Sequence, residues 1–335
     1  MVTHELLGFT QKIGFLPTYS HLRRTFSGSQ IAIIMYHRVS SITNNYLMSS
    51  LPTDTFERQI KFLHDNFQFI SLDNLAKLLK GSEKLPRKAA VITFDDGYKD
   101  NFTYAYPILR KYHAPATIFL STGYIDTGKL FWWDLSNYFV TNSLNKTITL
   151  KAIGTFPLNS ESDKDKTKML LRKILKGMSE EEKYAAICEL SNATGVDIPN
   201  DLGKEVILSW DDIKEMANEE ITFGAHTVNH PIFTNVTKEV CQYEIIQSKR
   251  DIEEKLGKPV TSFSYPNGEF NSEIRELVKK AGFECATITN PFGLVDKGSD
   301  IYSLRRIAAF QDFNVFKGML SGIMGDFKFL NHFGH

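Results

Sequence analysis

Apolar residues along this chain fall into short, nearly unbroken runs separated by stretches with a helical beat. Ile31-Ala32-Ile33-Ile34-Met35-Tyr36, Val91-Ile92-Thr93-Phe94 and Ala116-Thr117-Ile118-Phe119-Leu120 are runs of the first kind. Runs of this length, rich in β-branched residues, read as strands buried on both faces, as in a parallel sheet. Ile221-Thr222-Phe223, Phe263-Ser264-Tyr265, Ala286-Thr287-Ile288-Thr289 and Ser303-Leu304-Arg305-Arg306-Ile307-Ala308 continue the series. Between them the spacing predicts helices over 53–66, with Phe56, Ile60 and Leu63 on one face, and over 72–79, with Ser71 as cap and Gly81 as stop. Further helices are expected over 99–112, from Ser209 onward with Asp212 completing a capping box, over 238–256, over 272–280 and over 314–320. The 238–256 helix turns Cys241, Ile245, Ile252 and Leu256 inward and stops at Gly257. About seven strands alternating with helices predict an α/β fold, either a closed parallel barrel or an open doubly wound sheet. Short strand-to-helix connections and polar residues at several strand ends favour the barrel.

The rhythm breaks between Tyr124 and Val206. Phe131-Trp132-Trp133-Asp134 opens an excursion with a polar stretch, 159–166, and two helices, about 167–176 and 179–193. Such an excursion in an α/β domain reads as an inserted cap or lid, here over about 127–206. The tryptophan pair either packs the insertion or offers flat faces to a ligand such as a sugar ring. The expected organisation is an N-terminal extension over 1–30, a barrel domain over 31–320 and a C-terminal tail over 321–335.

Composition narrows the partners more than the chemistry. Of 335 residues, 42% are hydrophobic, enough for a large core, and 39 Lys+Arg balance 39 Asp+Glu. That balance gives no reason to expect nucleic acid or an anionic membrane as partner. No run of 18 apolar residues is present, so no spanning helix is expected. The interrupted apolar residues of 1–30 make a poor secretory core, which reads as a cytoplasmic protein. An interfacial helix in 1–30, helped by Arg23 and Arg24, is the alternative and would place it against the inner membrane face. Cys188, Cys241 and Cys285 are far apart and read as reduced core thiols.

Chemistry gathers at strand ends. The Val91–Phe94 strand stops at Asp95-Asp96-Gly97. Two adjacent carboxylates at a buried strand end repel each other unless a cation or donors offset them. His226 and His230 are four apart and precede Pro231, which places them on a loop or a single turn rather than along a helix. Two imidazoles and one carboxylate leave open positions on a divalent ion for water and substrate, and the neighbouring carboxylate is free to take a proton. The donor set suits zinc and also Co²⁺, Ni²⁺, Mn²⁺ or Fe²⁺. His37, at the end of the first strand, faces the same mouth.

Thr93-Phe94-Asp95-Asp96-Gly97 followed by His226-Thr227-Val228-Asn229-His230 resembles the polysaccharide deacetylases, the NodB-homology proteins of carbohydrate esterase family 4. Met35-Tyr36-His37-Arg38-Val39 and Phe263-Ser264-Tyr265-Pro266-Asn267-Gly268 are similar to a branch of that family. The resemblance, over about 31–309, implies a distorted (β/α)7-type barrel with a helical insertion. It also implies metal-dependent removal of acetyl groups from an N-acetylated sugar in a polysaccharide, oligosaccharide or glycan precursor. It implies Asp95 as general base, Asp96, His226 and His230 as metal ligands, and the backbone N–H of Asn267 as a donor to the oxyanion. The family arginine that orients the base has Ser264 at its position, so the expected substitutes are Arg305 or Arg306, Arg306 being preferred. The family's late Leu-x-His acid matches Leu330-Asn331-His332 in letters only. The acid is expected instead to be His37, or a group that His37 orients. Competing readings are a C–N hydrolase of a non-sugar amide on the same fold, a catalytically silent sugar-binding module, and an iron oxygenase with a two-His-one-carboxylate site, which the helix-rich pattern opposes.

Overall fold

The computed structural model of the protein describes residues 29–41, 46–217, 220–289 and 293–322. Most of the expected 1–30 extension and of the 321–335 tail, including Leu330-Asn331-His332, lies outside the described residues. Nine parallel strands form one sheet: β1 (Gln30–Tyr36), β2 (Gln68–Phe69), β3 (Lys88–Phe94), β4 (Ala116–Leu120), β7 (Ile221–Ala225), β8 (Ser262–Ser264), β9 (Cys285–Ile288), β10 (Leu304–Arg305) and β11 (Ile307–Ala308). Two more, β5 (Thr147–Leu150) and β6 (Gly154–Pro157), make a separate antiparallel hairpin. The large sheet runs β10-β9-β8-β7-β4-β3-β1-β11, with β2 against β3.

β10 and β11 are one extended segment interrupted at Arg306. Leu304 and Arg305 pair with β9, and Ile307 and Ala308 pair with β1. The segment therefore closes the sheet into a barrel whose staves are β1, β3, β4, β7, β8, β9 and β10/β11. This is the distorted seven-stave barrel, and the distortion sits where the last stave changes partner.

Side chains alternate across the barrel wall as the strand period requires. Ile34, Tyr36, Ile92 and Phe94 join the outer core with Phe56, Ile60 and Leu63 of the Thr53–Asn66 helix. Ile31, Ile33, Ala89, Val91, Phe119, Cys285 and Leu304 form a second core with Leu72, Leu75 and Ala76 of the Leu72–Lys80 helix. That second core fills the barrel's lower half. A Cβ on Gly224 would lie 2.5 Å from the Phe119 ring, so a glycine in β7 makes room for that ring. Continuing up the inner register, Thr93 on β3, Asp95 just past its end, Ser264 on β8 and Arg306 on the last stave are buried and polar. The apolar plug below and the polar layer above set the mouth of the barrel as the place for chemistry.

The elements differ from expectation in four places. The helix expected over 99–112 is a π-helical turn, Asn101–Ala105, followed by a helix over Tyr106–Lys111. Pro107 offers no N–H to Thr103, so the α ladder cannot run through this point. The first insertion helix spans Glu161–Lys176, beginning before the expected 167. Ser160 accepts from the Asp163 N–H, and Lys164–Glu161 and Lys168–Asp165 pairs bridge its polar first turns. The β5–β6 hairpin was unexpected, although Thr147-Ile148-Thr149-Leu150 alternates exposed and buried positions. Cys188 is exposed on the Glu180–Thr194 helix, unlike the buried Cys241 and Cys285, so the three are not all core thiols.

Between β4 and β7, the Trp132–Asn142, Glu161–Lys176 and Glu180–Thr194 helices and the hairpin share their own core around Phe139, Ile148, Leu171, Leu175 and Leu190. No helix among the described residues is long and apolar enough to cross a membrane.

Candidate active site

The loops after β3 and β7 bring the acid pair and the histidine pair to the barrel mouth. After β3 the chain turns through Asp96 (φ +74°) and Gly97 (φ +75°). A Cβ on Gly97 would meet Leu120 at 3.0 Å, so a glycine there lets the carboxylates sit against β4. After β7, Thr227 (φ +69°) and His230 (φ +55°) also adopt left-handed backbone. For a β-branched residue this is rare and costs about 1–3 kcal/mol, so other contacts must hold it. They do. The Thr227 hydroxyl accepts from the His230 N–H at 2.9 Å. Buried Glu244, on the Lys238–Leu256 helix, accepts from the Val228 N–H at 2.7 Å and from the Asn229 N–H and side-chain amide at 2.8 Å each. Sequence reasoning missed Glu244. The signal was an acid on the inward face, between Cys241, Ile245 and Ser248.

Asp96 Oδ1 lies 3.5 Å from His226 Nε2 and 3.5 Å from His230 Nε2. Ligand atoms on a tetrahedral zinc at 2.0–2.1 Å stand about 3.4 Å apart, so the spacing fits. His226 Nδ1 donates to the Ser264 carbonyl at 2.7 Å, which fixes the tautomer and leaves Nε2 for the ion. Asp96 Oδ1 is buried with no hydrogen-bond partner, an orphan a cation would satisfy. Burial, and then the charges of Asp95 and Asp134, push the Asp96 carboxyl well above the usual range. Burial likewise lowers His226 and His230, keeping both imidazoles neutral as ligation requires. These three residues can hold a divalent ion.

Asp95 points to the other side of the turn and has a different environment. Arg306, fully buried, donates from Nη1 to Oδ1 and from Nη2 to Oδ2, both at 2.6 Å. The same guanidinium donates to Ser264 Oγ at 3.0 Å and to the Ile288 carbonyl at 3.2 Å. Burying a guanidinium costs several kcal/mol unless its donors are satisfied, and here they are. Burial pushes the Asp95 carboxyl up, but the charges of Arg306 and His226 outweigh it and hold Asp95 below the usual range. Adjacent carboxylates thus have opposite tendencies, one kept ionised by an arginine and one awaiting a cation. Arg305, the other arginine considered, is exposed.

His37, Asn267, Trp132 and Trp133 line the same cavity as Asp95, Asp96, His226 and His230, about 790 Å³ in volume. Asn101 Nδ2 holds the His37 carbonyl at 2.8 Å, fixing the end of β1. Burial, opposed by Asp95, brings the His37 imidazole down to about 4. Asn267 is in left-handed backbone (φ +59°), and its side-chain amide donates to Glu269. The Trp133 ring stacks on Phe131 at 4.5 Å and meets His230 edge-on at 4.8 Å. Its indole N–H donates to Tyr98, whose hydroxyl donates to buried Asp134. Trp133 thus packs and positions His230, while half-buried Trp132 faces the cavity. A second cavity of about 540 Å³, near Tyr106 and Ile221, contains none of these groups.

Comparison with known proteins agrees with the geometry. The family model for polysaccharide deacetylases matches residues 82–286, more than half of the chain. The polysaccharide-deacetylase-type protein YxkH of Bacillus subtilis is 25% identical over 285 residues, covering 85% of this chain and 73% of that one. The poly-beta-1,6-N-acetyl-D-glucosamine N-deacetylase of Staphylococcus aureus is 30% identical over 167 residues, covering 44% of this chain and 57% of that enzyme. Among solved structures, the deacetylase PplD of Streptococcus pyogenes in complex with acetate aligns with a TM-score of 0.59 at 21% identity, covering 86% of this chain and 97% of that one. IcaB from Ammonifex degensii aligns at 0.57 and 18% identity, covering 88% and 98%. With that span matched and that barrel shared, the chain belongs to the polysaccharide deacetylase family.

Proposed function

We propose that the protein removes acetyl groups from the nitrogen of an N-acetylated sugar in a glycan, with a divalent ion, zinc by preference, held by Asp96, His226 and His230. The observation that carries this reading is the split of the acid pair. Asp96 Oδ1 faces two imidazole nitrogens at 3.5 Å, while its neighbour Asp95 is gripped by Arg306 at 2.6 Å. When bound, the ion supplies Lewis acidity towards a carbonyl oxygen and towards water.

The chain's own groups do the rest. Asp95, kept ionised by Arg306, takes the proton of the attacking water as general base. Arg306 aims Asp95 and holds it away from the ion. The backbone at Asn267 supplies a donor to the oxygen that gains negative charge. Asp95 then passes that proton to the departing nitrogen, and His37, a neutral imidazole at neutral pH, hydrogen-bonds that nitrogen from the cavity edge. A pure binding module has no use for a buried, arginine-oriented carboxylate beside a ligand triad. Support for the sugar comes from the relatives that act on poly-beta-1,6-N-acetyl-D-glucosamine and from the exposed face of Trp132.

The test is acetate release from a β-1,6-linked N-acetylglucosamine oligomer. The metal-stripped protein should be inactive and regain activity with Zn²⁺, Co²⁺ or Ni²⁺, while Asp96→Asn should bind no zinc in calorimetry. Activity that survives metal stripping, or an Asp96→Asn variant that binds zinc normally, would sink the assignment.

A further inference from the structure

The wall of the active-site cavity facing the barrel is the Glu161–Lys176 helix, which presents a row of cations to the cavity beside the exposed Met169 and Leu170. Lys166, Arg172, Lys173 and Lys176 line the cavity, whereas among the described residues the only carboxylates lining it are Asp95 and Asp96. Asp95 is paired with Arg306, and Asp96 is a metal-ligand candidate. None of the four cations forms an ion pair with a described residue, unlike Lys164 and Lys168 on the same helix. The whole chain has equal numbers of acids and bases, so composition does not explain this wall. Complementing the helix dipole accounts for a cation in the last turn, but not for Lys166 or Arg172.

Arg172 leans inward. Its Nη2 lies 3.8 Å from Met48 Sδ, and the Met48 N–H is anchored on buried Asp134 at 2.8 Å. Its charge is felt at both Asp96 and His37. A guanidinium in that position, with its fork unmatched, is suited to a planar or tetrahedral oxyanion. We propose, building on the deacetylase reading, that the substrate is an anionic acetamido glycan. Its phosphate or carboxylate group rests against Arg172, Lys173 and Lys176 while the acetamido group reaches the barrel mouth.

The test uses the zinc-loaded full chain and three probes: a neutral β-1,6-linked N-acetylglucosamine oligomer, the same oligomer capped with a 1-phosphate, and a hyaluronan tetrasaccharide that supplies carboxylates. Calorimetric binding and acetate release are both read, the first independent of turnover. At least one anionic probe should bind roughly tenfold or more tightly than the neutral one, and whichever does identifies the anion. Arg172→Glu and Lys173→Glu/Lys176→Glu should each weaken that binding by roughly 10- to 100-fold, the scale of a lost charge-assisted hydrogen bond. Zinc still bound at one ion per chain in both variants shows that the barrel mouth is intact. Equal binding of all probes, or anionic binding indifferent to charge reversal, overturns the proposal. So does a charge-reversal effect seen only on vesicles containing anionic lipid, which would make the wall a membrane face. If an anionic probe binds through Arg172 but no probe releases acetate, the anion site stands and the deacetylase reading fails.

Discussion

The two walls of the cavity handle charge in opposite ways. On the barrel side the charged groups are buried, and apart from Asp96, whose Oδ1 has no hydrogen-bond partner, they are tied. Arg306 is fully enclosed and bound to Asp95, Ser264 and the Ile288 carbonyl, and Glu244 secures the histidine loop from behind. On the insertion side Arg172, Lys173 and Lys166 are exposed and have no carboxylate partner among the described residues, beside Met169 at 74% exposure. Buried charges are costly to rearrange, because removing one partner strands the other in a low dielectric. Exposed lysines and arginines on a helix reposition at little cost. Chemistry therefore belongs to the rigid wall, and choice of substrate to the adaptable one.

The largest expected effect lies on the rigid side. Asp95→Asn should lower kcat for acetate release by about 10²–10⁴-fold, the usual contribution of a general base, with zinc still bound. A drop of less than tenfold would mean that the arginine-held carboxylate is structural. Next is the pair itself. Arg306→Met leaves Asp95 buried and unpaired and should cost about 3–5 kcal/mol in urea unfolding, with part of the loss recovered in Arg306→Met/Asp95→Asn. If the single variant unfolds like the native protein, the contrast between the walls is lost.

Glu244→Ala removes the acceptor from three donors behind the ligand loop. It should weaken zinc binding by about 10- to 100-fold in competition titrations, as second-layer changes at metal sites do. Unchanged affinity would show that Thr227 and His230 keep their left-handed backbone unaided.

The pH response of the metal-free protein separates the same groups. The His37, His226 and His230 imidazoles are lowered by burial, so the unfolded chain binds protons that the folded chain refuses. Stability should fall as pH drops below about 6.5, with the His37 contribution complete near its folded value of about 4. His37→Gln should flatten the slope by about one proton, measured by denaturant midpoints across that range. Asp95 acts in the same sense but in a lower pH window. Its folded value is depressed, so its contribution is present above about 3.9 and lost only as pH falls further. The smallest effect belongs to the insertion wall. Arg172→Ala and Lys173→Ala should change stability by no more than about 0.5 kcal/mol, and a larger loss would mean that this wall is also load-carrying.

Much of this was legible in the chain because the signals are local. Continuous β-branched runs mark strands buried on both faces whatever the topology, and an acid pair at a strand end is visible in a handful of residues. The 238–256 helix could be read to the residue, since Thr237 and Gly257 bracket it. Trp133 was ambiguous, because packing and ligand-facing tryptophans look alike until Phe131 and His230 are placed around it.

What the sequence determined by itself was the kind of layer structure and the inventory of ligands: a parallel α/β sheet, two acids, two histidines and a candidate arginine. Only the tertiary structure decided that β10 and β11 close the ring around Arg306, and that this arginine, not Arg305, turns inward to Asp95. It alone decided that the Glu161–Lys176 helix stands across the cavity from the metal ligands. The physical reason is range. Strand and cap preferences act over a few residues, whereas the partner of a buried charge is chosen by whichever distant stave arrives beside it, here 211 residues along the chain.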